Sequence, residues 1–163
     1  MKEDAKQWIA MGALSEIVGQ YDIAIQNFQQ ALKIDPHNAD VWNSLGWTWA
    51  RKGSPNDALR CFDRAISEDK QCTMAWVNKG IVLKNLGRYD DALFYYKQAI
   101  NIPNSGPYDE KRVWYNLANL YWERGNPEDI KETKKCLSRA LEIDPNYAHA
   151  LRLLQLVTKG SKR

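Results

Sequence analysis

The feature that most constrains this chain is a 34-residue step carried by several residue types at once. Trp8, Trp42 and Trp76 stand 34 apart, and Trp114 follows after 38. Gly12, Gly46 and Gly80 keep the step, with Ala118 in the fourth place, and a second glycine series runs Gly19, Gly53, Gly87, Gly125. Ala24, Ala58 and Ala92 are followed by Thr133. Phe28, Phe62 and Tyr96 are followed by Leu137, and Ala31, Ala65, Ala99 and Ala140 form the last ladder. Self-similarity of this period marks a helical repeat array, in which each unit buries its apolar face only by stacking on the next.

Each ladder has a physical reading. The Gly12 series sits in the middle of a helix, where Gly costs about 1 kcal/mol relative to Ala. That cost is understandable if a neighbouring helix passes within reach of a Cβ, with the Ala24 series on the other side. Trp and Phe/Tyr then fill the wider gaps between hairpins. The second glycine ends the first helix of each pair in a left-handed conformation. Gly53-Ser54-Pro55 reads as a helix stop, an N-cap and a first-turn proline, and Gly125-Asn126-Pro127 repeats that logic. First helices are therefore expected near 5–18, 39–52, 73–86 and 109–124, and second helices near 21–34, 55–68, 89–102 and 127–143. Residues 102–108 hold two prolines and a glycine and read as an irregular loop; the three extra residues after Gly125 read as one added helical turn.

The order Trp, Leu/Gly, Gly, Ala, Phe, Ala and a closing Pro resembles the tetratricopeptide repeat (TPR) family over roughly residues 5–145. Asp35-Pro36 and Asp144-Pro145 supply the closing proline; Lys70 replaces it in the second repeat, and Pro103 comes one place early in the third. The resemblance implies an all-α fold, a right-handed α-solenoid of antiparallel hairpins with about nine helices. It implies one domain over 1–163: repeats 5–38, 39–72, 73–106 and 111–145, a capping helix 146–158 and a polar tail 159–163.

The same resemblance implies a protein–protein interaction scaffold that holds a peptide or partner segment in a concave groove lined by the first helices. Its groove positions carry over here as Asn43, Ser44 and Trp47, then Asn78, Ile81 and Lys84, then Arg112, Tyr115, Asn116, Asn119 and Trp122. Asn78 and Asn116 occupy equivalent places, which is similar to the asparagine ladder of the O-GlcNAc transferase TPR superhelix at two of four positions. A carboxamide both donates and accepts, so it pairs with a peptide backbone whatever the side chain. Trp47, Tyr115 and Trp122 would add flat apolar anchors. The Lys/Asn clamp by which co-chaperone TPR domains grip a C-terminal carboxylate is missing, since only Asn78 and Arg112 suit its places.

Other classes find less in the sequence. The net charge is +3, and the groove cations Lys6, Arg51, Lys84 and Arg112 are opposed by Glu16, Asp40 and Glu123. That leaves no dense basic stripe for phosphates, so RNA binding of the pentatricopeptide kind is a minor alternative. Residues 131–163 carry eight Lys/Arg against three Asp/Glu and read as a solvated basic end. His37 and His149 are isolated, no metal-ligand spacing or phosphate loop is present, and neither catalysis nor a cofactor is expected. Three widely spaced cysteines, Cys61, Cys72 and Cys136, argue against a disulfide framework and for a reducing, cytoplasmic setting. There is no apolar run long enough to span a membrane. A further alternative is self-assembly: the outer side of the first hairpin and the apolar last helix would permit head-to-tail contacts.

Overall fold

A computed structural model describes residues 2–103 and 106–160, with side chains placed for 4–103 and 110–160. Among the described residues there are nine α-helices and no strand: α1 Lys2–Ile17, α2 Tyr21–Ile34, α3 Ala39–Lys52, α4 Pro55–Glu68, α5 Thr73–Asn85, α6 Tyr89–Ile100, α7 Gly106–Arg124, α8 Asp129–Ile143 and α9 Ala148–Thr158. The helices follow the all-α repeat pattern expected from the ladders. They form two compact units, Met1–Val82 and Leu83–Arg163.

In the first unit α1 pairs with α2, α3 pairs with α4, and α2 packs on α3. The close approach inside each hairpin is made by an aromatic ring lying on a glycine. A Cβ on Gly12 would fall 2.7 Å from Phe28 Cε1, and one on Gly46 would fall 2.7 Å from Phe62 Cε1 and 3.1 Å from Cys61 Cβ. The partner of the mid-helix glycine is thus the phenyl ring, not the alanine four residues before it; Ala24 and Ala58 are fully buried beside it. Phe28 and Ala31 join Ile25, Leu32, Val41 and Leu45 in one core, with Trp8, Trp42 and Trp49 packed against it.

The tryptophan ladder does more than fill space. Trp42 Nε1 donates to the carbonyl of Pro36 at 2.8 Å, and Trp76 Nε1 donates to the carbonyl of Lys70 at 3.0 Å. Each indole ties its helix to the turn six residues earlier and satisfies a carbonyl that the preceding helix end leaves open. Closing Pro and Lys serve equally because only the backbone oxygen is used.

Gly53 has φ +92° and closes α3 with two bonds, Gly53 N to Ala50 O (3.1 Å) and Ser54 N to Trp49 O (2.9 Å). This is the double-bonded Schellman ending, and Gly19 and Gly87 make the same pair of bonds. Ser54 stands at the N-cap and Pro55 in the first turn of α4, as expected, but the serine side chain makes no capping bond.

In the second unit α6 packs on α7, α7 pairs with α8, and α9 lies on both. Here the glycine–aromatic pair is replaced by Ala118 and Leu137, both fully buried. One side gains a methyl and the other loses a ring, a volume-conserving exchange. Two expectations are corrected. Helix α7 begins at Gly106, so the linker is shorter than 102–108; Asn104 and Ser105 lie outside the described residues, as do 161–163 of the expected tail. Two of the three extra residues of the fourth repeat lengthen the loop and only one the helix: α8 starts at Asp129 and has 15 residues against 14 in α4, although Pro127 looked like its first turn. Gly125 N donates to Tyr121 O at 3.4 Å, the bond of the simpler left-handed ending. A bidentate pair spans that loop, Arg124 Nε to Asp129 Oδ2 (2.8 Å) and Nη2 to Oδ1 (2.6 Å).

Gly46→Ala should destabilise the chain by about 1–3 kcal/mol in urea unfolding, although Ala is the better helix former. Adding Phe62→Leu, which copies the Ala118–Leu137 pair, should recover part of that loss; an additive double mutant would show that the ring does not set the spacing.

Candidate functional site

The first helices are cross-linked to one another by polar pairs in a constant register. In the first unit Arg51 Nη1 of α3 donates to Glu16 Oε1 of α1 at 2.8 Å, and Asn78 Nδ2 of α5 donates to Asn43 Oδ1 of α3 at 3.0 Å. In the second, Lys84 Nζ donates to Glu123 Oε2 of α7 at 2.6 Å. The separations are 35, 35 and 39 residues. These are one more than the repeat steps of 34, 34 and 38. Each position of one repeat therefore meets the next position of the following repeat. The two ion pairs run in opposite senses, acid to base and then base to acid.

Burial decides what these links are worth. Arg51 is 39% exposed and Glu16 17%, so solvent still screens the pair from the arginine side and its contribution to stability is modest. Hydrogen bonding to Glu16 raises the Arg51 pKa above its ordinary value, so the guanidinium stays charged throughout. Asn78 is only 6% exposed, and its amide bond to Asn43 satisfies a group that would be costly to bury alone.

Of the residues singled out from sequence, Asn43 and Asn78 are bonded to each other, and Ser44 turns its hydroxyl back to the carbonyl of Asp40 at 2.9 Å. Trp47 is half-buried against Ala58, Phe62 and Val82, so it supports the interior as much as the surface. Ile81 is half-buried, and Lys84 is held by Glu123. On α7, Arg112, Tyr115, Asn116, Asn119 and Trp122 are all half-buried. Their spacing of three and four puts Arg112, Tyr115 or Asn116, and Asn119 along one face. Asn119 Nδ2 donates to Glu123 Oε1 at 2.9 Å, which makes Glu123 the acceptor for both Asn119 and Lys84. Asn116 has no side-chain hydrogen bond to any described residue.

Tyr115 is not a free-standing anchor. Its ring packs edge-on against Tyr147 at 5.5 Å and beside His149 at 5.7 Å, and those two rings also meet at 5.7 Å. Burial, with Glu123 nearby, pushes its phenol pKa up, and Arg152 partly opposes this. Sequence alone marks Glu123 only as a charge opposing the groove cations and His149 as an isolated histidine; it does not reveal the bonds of Glu123 to Lys84 and Asn119, or the rings of Tyr147 and His149 beside Tyr115. The first could have been found from the one-residue register shift; the other two lie beyond the repeat pattern, where no ladder points to them.

Among the described residues no three His, Cys, Asp or Glu side chains gather as metal ligands, and no helix is long and apolar enough to cross a membrane. Sequence profiles match in three stretches: "TPR repeat" over residues 18–53, and "Tetratricopeptide repeat" over 74–102 and again over 111–147. Superkiller complex protein 3 of Mus musculus is 28% identical over 95 residues, which are 58% of this chain and 6% of that protein. The chain thus spans a small fraction of the curated relatives it matches. Among solved structures, MamA superposes with a TM-score of 0.74 at 22% identity, covering 98% of this chain and 84% of MamA. YrrB, described as a TPR protein with an unusual peptide-binding site, gives 0.72 at 25% identity over 93% and 75% of the two chains.

Cys61 and Cys136 lie on the second helices α4 and α8. Burial pushes Cys61 and Cys136 from 9.0 up to about 12, so both stay protonated in the folded chain. The unfolded chain releases those protons above its ordinary thiol pKa, so stability should fall as pH rises from about 9 toward 12. Native protein at pH 8 should leave both thiols unreactive to Ellman's reagent, and denaturant should expose them; rapid labelling without denaturant would contradict the packing of α4 and α8.

Proposed function

The chain belongs to the tetratricopeptide repeat family, and from that premise we propose that it is a non-catalytic scaffold whose first helices hold an extended segment of a partner protein. The observation that carries the reading is Asn116. It offers a half-buried carboxamide with no side-chain partner among the described residues, in line with Arg112 and Asn119 on α7. At the equivalent place Asn78 makes an amide-to-amide bond with Asn43, the same chemistry by which Asn116 would bond a peptide group of a ligand.

The charges support a neutral or weakly charged ligand. Glu16 is taken up by Arg51, and Glu123 by Lys84. Besides Arg112 on α7, the lining these pairs leave on the first helices is mostly amide and aromatic: Asn43, Ser44, Trp47, Asn78 and Ile81 in the first unit, and Tyr115, Asn116, Asn119 and Trp122 in the second. Such a lining grips backbone and flat side chains, not phosphates. Cys61, Cys72 and Cys136 are all buried, which fits work in a reducing cytoplasm.

A peptide-display selection on the immobilised chain, followed by calorimetry on an enriched peptide, tests this. Asn116→Ala should weaken binding roughly five- to tenfold, the scale of one hydrogen bond, with melting unchanged. Asn78→Ala should lower both affinity and melting temperature, because it also breaks the bond to Asn43. Unaltered affinity in Asn116→Ala would overturn the assignment of the face, and enrichment of no peptide would overturn the scaffold reading itself.

A further inference from the structure

Wholly within the first unit, a cleft of about 400 Å³ opens between the second helices α2 and α4. Trp42, Leu45 and Trp49 of α3 and Cys61 of α4 form its floor, and Gln29 of α2 and Arg60 and Arg64 of α4 stand on its sides. A helix turns about 100° per residue, which sets Trp42, Leu45 and Trp49 on the side of α3 away from Asn43, Trp47 and Arg51. The cleft is therefore separate from the face that carries the polar links. It has a cause in the repeat itself. Cys61 stands where the following repeat, 34 residues on, holds the ring of Tyr95, and the smaller side chain leaves room beside two indoles.

The floor selects a ring. Trp42 Nε1 is spent on the carbonyl of Pro36, so the indole offers the cleft only carbon. Leu45 and Cys61 add apolar surface, and burial keeps the thiol neutral. The volume lies at the small end of ligand pockets, about 300–1,000 Å³, which suits one side chain better than a cofactor. Against two indoles an aromatic group packs best.

The sides select an anion. Arg60 pairs with Asp57, and both line the cleft, so that pair adds no net charge. Arg64 bonds Glu68 at 2.6 Å, but Glu68 is not part of the lining and is also bonded to His37 Nδ1 at 2.8 Å. The lining therefore carries one guanidinium in excess. Arg64 is 47% exposed, and such a surface pair holds it weakly. A carboxylate placed over the cleft can take it up by two parallel bonds.

We propose that this cleft is a second docking site, which takes one aromatic side chain of an acidic partner segment, the ring against Trp42 and Trp49 and a neighbouring carboxylate on Arg64. It does not depend on the groove reading, since no residue is shared between the two.

Titration of the isotope-labelled full chain with blocked pentapeptides, followed by NMR, tests this. A peptide with phenylalanine between glutamates should shift the indole N–H signals of Trp42 and Trp49, with saturation in the sub-millimolar range. Lysines in place of the glutamates should weaken binding roughly tenfold, and alanine in place of phenylalanine should abolish it. Arg64→Gln should weaken the glutamate peptide about fivefold and leave a glutamine-flanked peptide unaffected, a split that damaged packing would not produce. Cys61→Tyr, which copies Tyr95, should fill the cleft and abolish binding while circular dichroism keeps its helical signal. Asn116→Ala, which disables the groove face, should leave this affinity as it is. Motionless indole signals would overturn the proposal. So would binding that survives Cys61→Tyr in a folded chain, equal binding of the lysine peptide, loss of binding in Asn116→Ala, or free phenylacetate binding as tightly as the peptide.

Discussion

The contact on which the rest of this structure depends is an aromatic ring seated on a glycine. Phe28 on Gly12 and Phe62 on Gly46 fix how near the two helices of a hairpin approach, because there is no room for even one more carbon. That distance sets how wide a hairpin is, and width sets which residues of the next first helix reach the second helix beside it. Once the spacing is given, alanines at Ala24, Ala31, Ala58 and Ala65 are buried without leaving a void, and the indoles of Trp42 and Trp76 arrive within reach of the turn carbonyls. The period visible in the sequence is the trace of this one contact. Where the ring shrinks to Leu137, the glycine becomes Ala118, and the packing is kept by exchange of volume.

A first helix in such an array has three neighbours. One face meets its own second helix, one receives the second helix of the preceding hairpin, and one is left for the groove. The polar bonds between first helices belong to this third face, and they take up charge that would otherwise select ligands. Glu16 with Arg51, and Glu123 with Lys84 and Asn119, turn ionic side chains into a neutral frame. In the proposed scaffold such a frame would hold side chains in place before a ligand arrived, lowering the ordering cost of binding. Affinity would then fall to amides and rings, which read backbone and shape more than sequence.

How much of this was legible follows from the range of each cause. The helices α2, α3 and α4 are found over the very residues the ladders name, because glycine stops and proline starts act within a few residues. The start of α8 was misread for the same reason: Pro127 carries a valid first-turn signal, but three inserted residues changed how Gly125 closes α7, and the chain needed a loop there. Likewise Gly106-Pro107 looked like a breaker, whereas a proline early in a helix costs nothing. The site was less legible than the fold. Asn78 and Asn116 share a repeat position, yet one is bonded and the other is not. The partner of Asn78 comes from the preceding repeat at one residue's offset, Asn43. No reading of one repeat at a time contains that offset.

The offset also explains why the two surfaces of α1 differ in kind. On its groove side α1 is bonded to the following repeat through Glu16. Its stacking face looks the other way, toward where a preceding second helix would lie, and there Met11, Leu14 and Val18 keep the apolar character of the interior. The two faces meet at Ile17, the most exposed of the large hydrophobics.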